Sequence, residues 1–88
     1  MNKAAIRKLC HDWQIAMHVK DADQIELDSF EFTFACELEI SINDARSLLW
    51  DFEVFSPEYS GLTSLGEHEE AAELLFQHIT NTRTESDK

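Results

Sequence analysis

The chain has 88 residues and a formal net charge of −11 at pH 7, and 43% of its residues are hydrophobic, including six Phe and two Trp. This length supports one modest hydrophobic core, and the aromatic content excludes a wholly disordered acidic chain. So acidic a surface repels free nucleic acid and anionic membranes, and no stretch approaches the ~18 apolar residues that span a bilayer.

Residues 3–19 predict an amphipathic helix. Apolar residues at helical spacing share one face: Ile6, Leu9, Cys10, Trp13 and Met17. The opposite face carries Arg7, His11, Gln14 and His18. Because this amphipathic start is not a secretory signal, we expect a cytoplasmic protein, in which two cysteines are buried free thiols rather than a disulfide.

Residues 30–40, FEFTFACELEI, alternate apolar and mostly acidic positions. A period of two predicts a strand with one buried and one exposed face, and Phe, Thr and Ile favour strands. Residues 24–27 have the opposite parity, so a turn or bulge at Asp28 would make them the partner strand of a short antiparallel hairpin. A helix is the alternative, since Asp28 and Glu31 are spaced like an N-cap residue and the acid three positions later.

Two further helices are expected after the hairpin. At the start of each, a serine is followed three residues later by an acid, as at helix N-termini: Ser41 with Asp44, and Ser64 with Glu67. Apolar spacing then predicts a helix over 42–53 and a last helix that ends near Thr80. The single proline marks a loop over 54–63, and residues 81–88 lack apolar anchors and are expected to be a disordered polar tail.

The predicted fold is a single α+β domain over residues 1–80. It consists of the N-terminal amphipathic helix, the short antiparallel β-hairpin and the two C-terminal helices. The alternative is an all-α four-helix bundle.

The sequence contains no motif typical of an enzyme or a metal site. His11 and His18 are seven residues apart and His68 and His78 are ten apart, whereas two metal ligands on one helix are typically four apart. There is no nucleophile elbow, phosphate loop or dinucleotide fingerprint. We therefore expect neither catalysis, nor a metal, nor a cofactor.

One segment resembles a known family. "LDSF" at 27–30 resembles the Asp-Ser-Leu motif of acyl carrier proteins, in which the serine takes a phosphopantetheine arm, and "LEISINDARSLL" at 38–49 is similar to the segment leading into their third helix. The resemblance implies a four-helix carrier module whose modified residue is Ser29.

The acidic surface is the remaining candidate functional feature. Residues 1–20 carry a net charge of +3, whereas residues 21–79 carry fifteen acids against Arg46 alone. The candidate partner-binding residues are Glu31, Glu37, Glu39, Asp51, Glu53, Glu67, Glu70 and Glu73. Of these, the first three are expected on the exposed face of the predicted strand.

A regularly spaced acidic surface can take the place of nucleic-acid phosphates on a basic protein. Bacteriocin immunity proteins and phage-borne inhibitors of host defence use this principle, and the chain resembles them in size and charge. We therefore expect a non-catalytic binding module with a basic protein partner, acting as an inhibitor or immunity-type neutraliser of a nucleic-acid-acting protein. The alternatives are that the acids serve only solubility, or that the open hairpin edge pairs two copies into a homodimer.

Overall fold

The chain folds into five α-helices, as seen in a computed structural model that describes residues 2–86, with side chains through Asn81. The helices are α1 Lys3–His18, α2 Gln24–Leu38, α3 Ile42–Phe55, α4 Pro57–Ser64 and α5 His68–Ser86. No strand occurs in residues 2–86, so the α+β prediction was wrong and the all-α alternative fits, with five helices instead of four. The hairpin edge proposed for a homodimer is therefore absent from this part of the chain. The predicted tail 81–88 overlaps the end of α5, and Asp87 and Lys88 lie outside the described residues.

Helix α2 replaces the predicted hairpin because its buried stripe has helical spacing. The stripe consists of Leu27, Glu31, Phe34, Ala35 and Leu38, at the i, i+4, i+7, i+8 and i+11 positions of one helix face. A charged residue stands in its middle, while the outer face carries the exposed apolar residues Ile25 and Phe32. These two features together hide the helical period in the sequence and produce the apparent alternation.

Short polar side chains begin four of the helices. The side chains of Asn2, Asp23, Ser41 and Ser56 each accept a hydrogen bond from a first-turn backbone N–H, which satisfies one of the donors left free at a helix start. The N-cap prediction for Ser41 is thus confirmed. Ser64 instead ends α4, a helix that occupies most of the predicted 54–63 loop, and Gly66 (φ 79°) provides the left-handed conformation that links α4 to α5.

Helix α1 is the centre of the packing. It contacts α2 on one side and α5 on another, and Ile6, Cys10 and Trp13 of its predicted apolar face are fully buried, while Leu9 and Met17 are partly buried. The Trp13 ring meets those of Phe30, Phe34 and Trp50 edge to face, with centroids 6.1, 6.3 and 5.7 Å away. Such edge-to-face pairs add to the hydrophobic stabilisation of burial, so this cluster ties α1, α2 and α3 together.

Most of the polar face of α1 is also covered, contrary to expectation, and only Arg7 of its four residues is exposed. Gln14 is fully buried, and the side chains of His11 and His18 are only 33% and 21% exposed. The reason is that α4 and α5 pack over this side of α1. Polar groups enclosed in this way require partners, and those partners form the first element of the candidate site.

Candidate functional site

A buried polar junction lies where α1, α3, α4 and α5 meet; we define it by Gln14, His18, Glu53, Tyr59 and His68. The Tyr59 hydroxyl lies between two acceptors that share its one hydrogen, Glu53 Oε1 at 2.7 Å and Gln14 Oε1. His18 Nε2 lies 3.0 Å from the same Glu53 oxygen, and Gln14 Nε2 lies 3.1 Å from His68 Nδ1. Four helices are therefore joined by one connected set of hydrogen bonds.

The polar junction satisfies groups that burial would otherwise leave without partners. Gln14 and Tyr59 are 0% and 1% exposed, and an unsatisfied buried polar group costs about 1–3 kcal/mol. The Gln14 amide also donates to Thr63 Oγ1 at 3.1 Å. Since the same amide nitrogen faces His68 Nδ1, neutral His68 accepts there and carries its proton on Nε2. The polar junction thus fixes the position of α4 against α1.

The two groups in this region that could be nucleophiles stay protonated at neutral pH. Burial, reinforced by the hydrogen bond and charge of Glu53, raises the pKa of Tyr59 far above its ordinary value. Burial, followed by the charge of Glu73, raises the pKa of the Cys10 thiol to about 12. Nucleophilic catalysis by cysteine requires the thiolate, and Cys10 remains a thiol. Tyr59 likewise remains a neutral phenol, so neither group is activated as a nucleophile. Among the side chains described through Asn81, no three His, Cys, Asp or Glu residues are placed to hold a metal ion.

Glu31 does not belong to any exposed acidic face. The prediction placed it on the wet side of a strand, but its side chain is 0% exposed in the core between α2 and α3. Its Oε2 accepts a hydrogen bond from Arg46 Nε at 2.7 Å, while Oε1 has no hydrogen-bond partner among the described residues. The predicted exposure of Glu31 was therefore wrong, and its place in the predicted partner-binding set depended on that exposure.

The other predicted acids are divided among separate regions. Glu37 and Glu39 lie at the end of α2, where Glu39 has a left-handed backbone (φ 57°). Asp51 and Glu53 are on α3, and Glu53 is occupied in the polar junction. The remaining predicted acids are Glu67, Glu70 and Glu73, before and within α5. The tertiary structure therefore does not assemble the predicted set into one surface.

A groove between α4 and α5, here called the acidic groove, collects a partly different set. It has a volume of about 540 Å³ and is lined by Glu58, Leu62, Glu69, Glu70, Glu73, Leu74 and Gln77. Only Glu70 and Glu73 of the predicted residues line it. Glu69 could have been found from its helical spacing to Glu73, whereas Glu58 could not, because the segment that forms α4 was interpreted as a loop.

Most of the negative charge in the acidic groove has no cationic partner among the side chains described through Asn81. Arg7 Nε and His11 Nε2 lie 3.2 and 2.9 Å from Glu73 Oε2. No salt bridge to the other three glutamates is formed by the side chains described through Asn81. All three lie in the first turns of α4 and α5, where carboxylates stabilise a helix by about 0.3–1 kcal/mol. Helix stabilisation accounts for acids at these positions, but it does not require that they line a common groove.

Ser29 lies on the exposed face of α2. Its carbonyl oxygen accepts a hydrogen bond from Thr33 Oγ1 at 2.9 Å. Its accessibility is compatible with modification, but it does not line the acidic groove.

When the chain was compared with protein-family models, curated proteins and solved structures, no match was found. In the part of the chain that the structure describes, no helix has the length and apolar character needed to cross a membrane.

Proposed function

We propose that this protein is a non-catalytic binding module whose acidic groove covers a basic surface of a partner protein. The observation that carries the proposal is the groove itself: four glutamates line it, and only Glu73 has a cationic partner among the side chains described through Asn81. A basic partner would supply cations to the groove glutamates that have no salt bridge within the described part of the chain.

The mechanism is steric and electrostatic. The net charge of −11 steers a basic protein towards the surface and raises the association rate, an effect that salt screens. Proteins that handle nucleic acid expose basic surfaces shaped for phosphates. Carboxylates placed against such a surface would exclude the nucleic acid, so the protein would act as an inhibitor or neutraliser. Its two free cysteines suit a reducing compartment, and we place it in the cytoplasm.

A pull-down from native lysate tests this proposal. The immobilised protein is washed at low and then high salt, and the released proteins are identified by mass spectrometry. We compare Glu69→Gln/Glu70→Gln in the acidic groove with Glu37→Gln/Glu39→Gln at the end of α2; both variants remove two negative charges. We expect the wild-type protein to retain a basic partner that high salt releases. The α2 variant should still bind this partner, whereas the groove variant should not.

Three results would contradict the proposal. Equal loss in both variants would show that only total charge matters. Loss in the α2 variant alone would move the binding surface to Glu37 and Glu39. Recovery of no basic protein at either salt concentration would leave the acids with a role in solubility.

The carrier alternative is tested separately at Ser29, whose exposure on α2 meets its one structural requirement. The intact mass of protein purified from its native host would reveal a prosthetic group on this residue. An unmodified mass after co-expression with a broad-specificity carrier transferase would eliminate the alternative.

A further inference from the structure

A second cavity, here called the apolar pocket, adjoins the acidic groove where α3 gives way to α4. It has a volume of about 380 Å³ and is lined by Asp51, Phe52, Phe55, Ser56, Pro57, Glu58 and His78. Glu58 also lines the acidic groove, so the two cavities are neighbours that share one lining residue. A volume in this range suits a small ligand group or a side chain.

The floor of the apolar pocket is held in place. The Phe52 ring packs 4.5 Å from the His78 ring and 4.9 Å from the Tyr59 ring, measured between centroids. Tyr59 is in turn held by the polar junction. The pocket therefore exists before any partner arrives, which reduces the entropy lost on binding.

The wall of the apolar pocket includes a large, exposed apolar side chain. Phe55 lines the pocket and is 76% exposed, and Val54, which precedes it in the chain, is 69% exposed. Single exposed apolar residues are ordinary, but Phe55 belongs to a preformed cavity. Apolar surface beside a cavity and rimmed by polar groups is typical of interaction sites.

The charges around the apolar pocket decide the chemistry of its occupant. Asp51 and Glu58 line it, Glu58 is shared with the acidic groove, and neither cavity is lined by a Lys or Arg among the described side chains. An acidic occupant would be repelled, and a purely apolar one would leave these carboxylates without a cation.

We propose that the occupant of the combined surface is a basic amphipathic segment of a partner protein, with one bulky apolar side chain in the apolar pocket and its Lys or Arg side chains along the acidic groove. This inference rests on the proposed function and adds the apolar anchor to it. A segment that contacts both cavities needs its anchor and its bases on one side, as an amphipathic helix provides with residues three or four apart. A purely electrostatic imitation of nucleic acid would need no such pocket.

Panning a phage-displayed library of random peptides, each long enough for about three helical turns, against the immobilised full-length chain tests the inference. We expect enriched peptides to combine Lys or Arg with a Phe, Trp or Leu at helical spacing. The most enriched peptide is then synthesised with a fluorophore, and its dissociation constant is measured by anisotropy.

Three variants separate the contributions to binding, each checked for folding by circular dichroism. Phe55→Ser removes an anchor contact, and we expect it to raise the dissociation constant about tenfold, as loss of a central apolar contact does. Phe32→Ser is the matched control, because Phe32 is 57% exposed on α2 and lines neither cavity; we expect a change below about twofold. Glu69→Gln/Glu70→Gln should weaken binding and reduce its salt dependence.

The outcomes distinguish the inference from the proposed function. Basic peptides without an apolar anchor, or equal effects of Phe55→Ser and Phe32→Ser, would overturn the inference and leave the proposed function standing. Absence of any enrichment of basic peptides would overturn both. A dimer in sedimentation velocity that Phe55→Ser dissociates would assign the surface to a second copy of the chain, and so overturn the proposed partner segment.

Discussion

Replacing Tyr59 by Phe removes one buried hydroxyl and keeps the ring. The ring contacts of Tyr59 with Phe52 and His18, at 4.9 and 6.2 Å between centroids, should persist in the variant. What disappears is the O–H that lies between Glu53 Oε1 and Gln14 Oε1. Tyr59→Phe therefore measures the hydrogen bonding of the polar junction with little change in packing.

The size of the effect follows from which acceptor is left without a donor. Glu53 Oε1 keeps His18 Nε2 at 3.0 Å, whereas the Gln14 oxygen loses its donor inside a fully buried residue. A buried unsatisfied acceptor costs about 1–3 kcal/mol, so we expect Tyr59→Phe to lower the free energy of unfolding by about 2 kcal/mol. For a domain of this size, such a loss lowers Tm by roughly 10 °C. It is a large part of the total free energy of unfolding, which is about 4–13 kcal/mol for a chain of this length.

Urea and thermal unfolding followed by circular dichroism measure this loss. Ser60→Ala is the control, because it removes a hydroxyl from an exposed position of the same helix; we expect it to change stability by less than about 0.5 kcal/mol. If Tyr59→Phe is as stable as Ser60→Ala, the Gln14 oxygen is not buried against Tyr59, and the account of how α4 docks on α1 is wrong.

The remaining predictions concern the buried carboxylate and the two thiols. Arg46→Met should lower Tm because it leaves the Glu31 carboxylate buried without its cation, and adding Glu31→Leu should restore most of the loss because no buried charge remains; a double variant no more stable than Arg46→Met would contradict this. In native protein, a chromogenic aryl disulfide should react with exposed Cys36 and reach buried Cys10 only after unfolding, so two equally fast thiols would refute the burial of Cys10. Burial and the charge of Glu73 raise the pKa of Cys10 from 9.0 to about 12. The unfolded chain therefore loses this proton first, and the thiol's contribution to stability, complete below pH 9, should be lost as the pH rises towards 12. Urea unfolding of wild type and Cys10→Ala across that range measures it, and an identical alkaline loss in both would count against the prediction.

Local signals predicted several elements correctly. The apolar spacing of Ile6, Cys10 and Trp13 predicted α1, and Ser41 predicted the start of α3. These features succeed because an N-cap hydrogen bond and a helical stripe involve residues only three or four positions apart. Such contacts are encoded within one short segment, whatever the rest of the chain does.

Helix α2 shows where this reasoning fails. Its buried stripe includes Glu31, whose partner Arg46 is fifteen residues away on another helix. From the sequence alone, the charged residue Glu31 is expected to be exposed, although it lies in the core. The apolar residue Phe32 is expected to be buried, although it is exposed. The strand prediction followed from these two local appearances, both of which tertiary contacts reverse.

The sequence by itself determined the acidity of the protein, the amphipathic first helix and the serine cap that begins α3. Only the tertiary structure decided that Gln14 lies inside a polar junction, that Glu31 is buried, and that Glu58 joins the glutamates of α5 in one groove. The physical reason is that charge and helical spacing are properties of a segment, whereas burial and shared surfaces depend on which segments pack together. The candidate site belongs to the second kind, because the groove forms only where α4 and α5 pack against each other.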